Sequence, residues 1–505
     1  MQDQRPSSEK EKGSSMTDKA SVSVHQLESG IPEETVPEEE RDVFRTDVGT
    51  EGPDLRGLSW LGAAALIAKS QFGLGVLGLP KTFDVLGLVP GLISLVTLCA
   101  IATVTGVYVG KFRLRHPQVH SIGDAAALMF GRFGLEFAGG ATWLFYTLCY
   151  GAALLTVSIA FNTLTDHAAC TMVWIGMGAA VSLVLGLVTR TMKVLSWCGY
   201  VAVLSVFLGV WVTAIACLAQ DRPAAAPLGM PVDKKISAFT TSSFSSACSA
   251  VATQLLSLAG TASFFTIHAE MRDQRKYARA LYTGQAMVVF NYIAISCIMY
   301  GKVGQFIASP ALGSAGAVFK KVGYGISLPA LFFSCFFQAH IAGKYALVRI
   351  LRGTRHLQSN TPWHWVVWSS MMAIIIAVGM VVASAIPFFG DLLGLIGALL
   401  GTIFTMILPG FMCLYEMSHV DKRENPVEKG SLPESSTRRH WLVQVITSRQ
   451  ANRRGMLTVW PSILVVVAGL FIGVTGTYGS IKSISDAFAS GQVGSAFSCA
   501  DNSGK

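Results

Sequence analysis

The chain has 505 residues, of which 51% are hydrophobic and only 14% charged, with a mean hydropathy of +0.50. A soluble domain carries about 25% charged residues, so this composition excludes a soluble, a collagen-like or a largely disordered protein and leaves a polytopic membrane protein. The formal charge of +9 is split: residues 1–56 hold seven Lys/Arg against fourteen Asp/Glu, and the rest of the chain holds 32 against 16.

Residues 1–56 are polar and rich in Ser and Glu, with no apolar core of a signal peptide, and read as a disordered acidic cytosolic tail. Residues 57–480 form the membrane domain and 481–505 a short C-terminal tail. A window of about 19 residues places eleven spans near 58–80, 86–109, 135–162, 171–189, 194–218, 244–268, 281–306, 324–348, 365–386, 391–415 and 457–478. With the N-terminus in the cytosol, the cytosolic loops carry 21 Lys/Arg against nine on the other face, the asymmetry that the positive-inside rule requires. An odd number of spans then leaves the C-terminal tail outside. The basic residues sit in short loops, so the high pI does not signal nucleic-acid binding. The remaining partners are the bilayer and a small solute.

The first span reads Leu66-Ile-Ala-Lys69-Ser70-Gln71-Phe72-Gly73-Leu74-Gly75-Val76-Leu77-Gly78-Leu79-Pro80. Three glycines in six residues and a proline make a poor continuous helix. Any unwound backbone at this depth must face protein or water, because lipid satisfies no N–H or C=O. A helix-packing face of small residues is the competing reading, but it leaves Lys69, Ser70 and Gln71 unexplained. The sixth span repeats the pattern at Ser257-Leu-Ala259-Gly260-Thr261-Ala-Ser263. Five spans separate the two, as in a 5+5 inverted repeat with one extra helix. Paired interrupted segments in corresponding positions of two halves point to a transporter binding site. Free N–H groups at a half-helix N-terminus suit a carboxylate, and freed carbonyls suit an ammonium. An amino acid presents both. The expected carboxylate donors are the N–H groups near Leu74 and Gly75, with Gly75 leaving room for close approach of the ligand.

The stretch Gly73-Leu-Gly-Val-Leu-Gly-Leu-Pro80 resembles the opening motif of the amino acid/auxin permease (transmembrane amino acid transporter) family. Phe264-Phe-Thr-Ile-His268-Ala-Glu270-Met-Arg272-Asp273 and Ile386-Pro-Phe-Phe-Gly-Asp391 through Gly401 are similar to its further signatures. The loops Phe112-Arg-Leu-Arg-His-Pro117 and Ser309-Pro-Ala-Leu-Gly-Ser-Ala-Gly316 resemble its fungal branch. The resemblance covers roughly residues 55–480. It implies an all-α, eleven-helix LeuT-like fold and secondary transport of amino acids, often proton-driven, in the plasma or vacuolar membrane. An Ala-Gly-Thr-Ala run at 259–262 replaces the Gly-Gly-His or Gly-His pair of several members, which leaves the substrate open.

Lys69 lies some 16 Å into its span at about 1.5 Å per residue, beyond the reach of snorkelling. By resemblance to proton-coupled proteins of this fold, its amine replaces a bound sodium ion; an amine merely bonded to freed carbonyls is the alternative. His268 and Glu270 are candidates for a proton relay or for a plain salt bridge. Tyr146 and Tyr150 recur at i, i+4 and face either substrate or core. Lys344 reads as a snorkelling lysine, and Gln338 and His340 as either cavity or core groups. The substrate-binding set is therefore Ser70, Gln71, Gly73, Leu74, Gly75, Tyr146, Tyr150, Ala259, Gly260 and Thr261. Lys69, His268 and Glu270 form the proton-coupling set. Eight of ten cysteines lie in apolar stretches; Cys170 and Cys499 lie outside them on the same expected face, as a bridge or as two free thiols. There is no P-loop, HExxH or CxxC motif, so no catalytic residue, metal or cofactor is expected and the chain does not read as an enzyme. A sensor that binds without transport, and a carrier of an amino-acid-derived metabolite for a specialised fungal pathway, remain open alternatives.

Overall fold

The computed structural model describes residues 58–119, 121–188, 192–227, 231–351, 354, 356, 361–424, 441, 453–489 and 496–503; the expected acidic tail at 1–56 lies outside them. Every regular element among the described residues is helical. One isolated parallel bridge joins Leu58 to Met271.

The first span is a bent pair, α1a (Trp60–Gln71) and α1b (Leu74–Leu86), with 52° between them. The helices that follow are α2 (Leu88–Arg115), α3 (Ile122–Thr165), α4 (Thr171–Val188) and α5 (Met192–Ala219). The sixth span comprises α6a (Phe244–Leu256) and α6b (Thr261–Ala269). Then come α7 (Tyr277–Val303), α8 (Ala317–Leu351), α9 (Pro362–Ala385), α10 (Phe389–Ser418) and α11 (Arg453–Ala489). Ten of these are long and apolar enough to cross a membrane, and the bent first pair makes eleven.

Local chemistry accounts for the boundaries. The Ser59 hydroxyl accepts from the Gly62 N–H and caps α1a. Ser121 and Asp124 form a capping box at the start of α3. Gly131 then takes φ +66°, a left-handed conformation that favours glycine. That kink separates a short lead from the spanning part of α3, which agrees with a span expected from 135. α10 widens into π-type turns at Gly397–Gly401 and Ile403–Ile407. There Gly397 lies so close to the Ala252 carbonyl of α6a that a β-carbon would collide with it.

The packing has an internal symmetry. α1a packs on α7, and both halves of α6 pack on α2. α3 packs on α4 and α9, while α8 packs on α9 and α4. α5 packs on α8, matched by α10 on α3; α2 meets α10, matched by α7 on α5. Exchanging each helix for the one five positions later maps these contacts onto themselves. An odd number of spans per half makes the two halves antiparallel, so the chain is a 5+5 inverted repeat with α11 outside it, packed on α6a and α10. The two broken spans meet at its centre, α1b against α6a.

At the end of the bundle remote from α6b, the C-terminal residues are sewn to the helices. Cys499 is bonded to Cys170. Thr171 donates to the Ala500 carbonyl at 2.7 Å, and Asn162 to Asn502 at 2.8 Å. Lys320 donates to the Ser503 carbonyl at 2.8 Å, and the Phe497 N–H to the Ser384 carbonyl at 3.0 Å. These partners belong to α3, α4, α8 and α9 or border them.

Candidate functional site

Both breaks lie side by side, and glycine permits it. A β-carbon on Gly75 would stand 2.5 Å from the Ser257 Cα, and one on Gly260 would collide with the Ser70 hydroxyl. Gly75 therefore lets the two breaks touch; Gly73, with nothing within 4 Å of a β-carbon, faces open space. α1a ends with the Phe72 N–H on the Ala68 carbonyl at 2.8 Å. α1b starts at Leu74 with no side chain capping its first amides, so a helix N-terminus is presented to the break. α6 breaks less: Leu258, Ala259 and Ser263 N–H groups bond carbonyls three residues back, at 3.0, 3.0 and 2.9 Å.

A cavity of about 340 Å³ runs from the breaks past α3, α5 and α8 toward the end of α6b. Of the expected substrate residues it is lined by Ser70, Gln71, Gly73, Leu74, Gly75, Tyr146 and Ala259. Gly260 and Thr261 are packed behind that wall. Tyr150 is buried, its ring so close to Gly379 of α9 that a β-carbon there would collide with it. Tyr146 lies within hydrogen-bond distance of Ser263 in α6b, 3.3 Å between hydroxyls. The Ser70 hydroxyl is spent on the Ile67 carbonyl at 2.8 Å, while the Gln71 Oε1 is buried without a partner.

Lys69 lines the same cavity. Its ammonium lies 4.4 Å from the ring centre of Phe333 and 5.2 Å from that of Phe337, cation–π distances. A side chain at Gly199 of α5 would collide with the Lys69 Nζ, so that glycine makes the room for it. Glu270, just past α6b, lines the far end of the cavity. Burial pushes its carboxyl above the ordinary range, and the ammonium of Lys344 draws it partly back. Gln338 lines the cavity; His340 is buried edge-on to Trp368. His268 stands apart from the cavity: Nε2 lies 3.1 Å from the Gln274 carbonyl and the ring stacks on Tyr277 at 4.3 Å.

Four contributors escape sequence reasoning. Phe333 and Phe337 recur at i, i+4, a spacing that marks one helix face but not what it faces. Ser263 sits in the sixth-span run without a signal of its own. Tyr292 of α7 places its hydroxyl 2.8 Å from the Gln71 carbonyl and 2.9 Å from that of Ser257, and nothing in its sequence neighbourhood sets it apart. Among the described residues no group of three or more His, Cys, Asp or Glu gathers as a metal site would need.

A "Transmembrane transporter" of Gibberella moniliformis is 30% identical over 92% of this chain and 92% of its own length. A "Transmembrane transporter" of Fusarium pseudograminearum is 28% identical over 92% and 91%. An "N amino acid transport system protein" of Neurospora crassa is 27% identical over 88% of both. Among solved structures, Mhp1, a nucleobase-cation-symport-1 family transporter in a closed conformation with bromovinylhydantoin bound, aligns with TM-score 0.48 at 14% identity, over 87% of this chain and 95% of that one. Residues 56–432 match the family described as "Transmembrane amino acid transporter protein". The chain belongs to the transmembrane amino acid transporter family, as a multi-pass membrane protein.

Proposed function

We propose that the protein is a secondary active transporter of amino acids, proton-coupled, working by alternating access around the breaks of α1 and α6. One observation carries the reading: the uncapped N-terminus of α1b faces a cavity lined by both broken spans. The substrate carboxylate accepts from the Leu74 and Gly75 N–H groups at the positive end of α1b. The ammonium turns toward freed carbonyls and the Tyr146–Ser263 hydroxyl pair. Phe145, Cys149, Leu256 and Leu393 flank the same space and carry no charge, which suits an uncharged substrate side chain.

Lys69 is the proton carrier. A cation seated on two rings beside the break recovers from the ring quadrupoles part of what it loses in water. Releasing its proton as α1a moves relative to α8 ties the ion to the conformational cycle. Glu270 at the cavity's far end passes protons to or from solution. His268, buried and held by Gln274 and Tyr277 apart from the cavity, supports the position of α6b beside that relay. The N-terminus is cytosolic, the side to which the cavity runs, and the membrane is the plasma or vacuolar one.

The test is reconstitution of the full chain in proteoliposomes with each labelled protein amino acid in turn. An imposed proton gradient should drive accumulation that a protonophore collapses and that is unchanged when choline replaces sodium. Binding without accumulation would make the protein a sensor instead. Decarboxylated analogues should compete poorly; equal competition refutes the carboxylate assignment.

A further inference from the structure

Unwinding two helices frees carbonyl oxygens, and two of them converge on one atom. The carbonyls of Gln71, at the end of α1a, and of Ser257, at the end of α6a, lie 2.8 and 2.9 Å from the hydroxyl oxygen of Tyr292. Tyr292 is wholly buried on α7, and its ring stacks on Phe72, itself in the α1 break, at 6.0 Å and 18°. A phenol has a single hydrogen, so both carbonyls share it. Two carbonyl dipoles pointing their negative ends at one dry spot repel unless something positive stands between them. In broken-helix transporters, unwound carbonyls of this kind coordinate a sodium ion or a proton. Here a hydroxyl hydrogen occupies the spot.

We propose that Tyr292 is a positioning residue whose hydroxyl hydrogen stands where a coordinating cation would, clasping the two breaks in binding register so that the site works without a metal ion. The inference rests on reading the breaks as the substrate site. The clasp reaches both breaks from α7, which packs on α1a in the bundle, so α1 and α6 cannot separate at the site without giving it up. Its role is therefore to preorganise the backbone that binds, not to touch substrate; Tyr292 does not line the cavity.

Tyr300, about two turns further along the same helix and away from α6b, supplies the control. It is also wholly buried, and its hydroxyl contacts the Ser237 backbone, remote from the breaks. Two measurements test the proposal on the full chain. In proteoliposomes, with the labelled amino acid that the wild type accumulates fastest, Tyr292→Phe should raise half-saturation about tenfold while the maximal rate per inserted protein stays within about threefold. Tyr300→Phe should leave both within about twofold. Equal half-saturation in Tyr292→Phe and wild type overturns the proposal, as does a fall in maximal rate alone, the mark of a merely structural tyrosine. In detergent without substrate, melting of the wild type should be the same in sodium, lithium and choline chloride. Tyr292→Ser, which opens the spot, should melt higher in sodium or lithium than in choline. A wild type that needs sodium to resist melting, or a Tyr292→Ser protein that folds but ignores all three ions, overturns it. Failure of every amino acid to accumulate refutes the transport reading alone, since the melting arm reads Tyr292 without substrate.

Discussion

The two breaks share a place in the repeat and differ in what they offer. At α1 the backbone opens: the halves meet at 52°, Gly73 faces free space and α1b begins with no side-chain cap. At α6 a tight turn keeps its amides bonded three residues back, and Gly260 is pressed onto Ser70 and Gln71. Symmetric halves have thus divided the labour. α1 supplies a helix N-terminus with no side-chain cap and, at Lys69, an ammonium that lines the cavity. α6 supplies the wall against which they are held, and below it Glu270.

The largest effect expected from breaking this arrangement is at Gly75. A valine there meets backbone, the Ser257 Cα, which no rotamer change relieves. Gly75→Val should abolish uptake and destabilise the protein by about 1–3 kcal/mol, seen as a lower melting temperature. A variant that melts like wild type would mean that the breaks are not pressed together. Next in size is Lys69→Ala, which should end accumulation against a gradient while exchange of internal for external substrate continues. Normal pH-dependent accumulation would refute its role. Glycines of the two breaks then provide the direct contrast. Gly73→Ala adds a methyl to open space and should melt like wild type while raising half-saturation several-fold. Gly260→Ala meets the Ser70 hydroxyl and the buried Gln71 side chain, which must shift, and should lower stability by about 1 kcal/mol with a smaller change in half-saturation. The reverse pattern would assign the ligand-facing role to α6.

Much of this was legible in the chain. Eleven apolar runs count themselves, and glycine with polar residues in the middle of a membrane span is costly enough to stand out, at Lys69 to Gly75 and again at Ser257 to Thr261. Periodicity was less reliable at finer scale. Tyr146 and Tyr150 share a helix face at i, i+4, yet the cavity reaches only the first, because Gly379 lets α9 close over the second. Lys69 was recognisable by its depth, but its neighbours Phe333 and Phe337 come from a helix more than 260 residues away. Tyr292 was invisible for the same reason: a tyrosine in an apolar run acquires meaning only when two distant carbonyls arrive at its hydroxyl. Cys170 and Cys499, 329 residues apart, are joined by tertiary structure that no spacing encodes.

The smallest effect sharpens the α6 side. Glu270 follows α6b, and its half-buried carboxyl binds a proton more tightly in the folded protein than in the unfolded chain. The sign follows from linkage. A carboxyl raised on folding contributes stability that is full below its unfolded value and is lost as pH rises through the folded one. Above that window the folded protein carries a partly desolvated carboxylate that the Lys344 ammonium helps to balance. Glu270→Gln removes the titration. It should melt close to wild type at pH below the ordinary carboxylate range, and slightly higher once pH has risen through the raised folded value, where the wild type takes on the charge. In transport, the acid limb of the pH profile should flatten while half-saturation at acid pH stays near that of wild type, since Glu270 lies at the far end of the cavity from Gly73 and Leu74. If Glu270→Gln melts lower than wild type at neutral pH, the carboxylate is held by its pairing with Lys344 more than burial opposes it, and Glu270 is a latch between α6b and α8 instead of a proton relay.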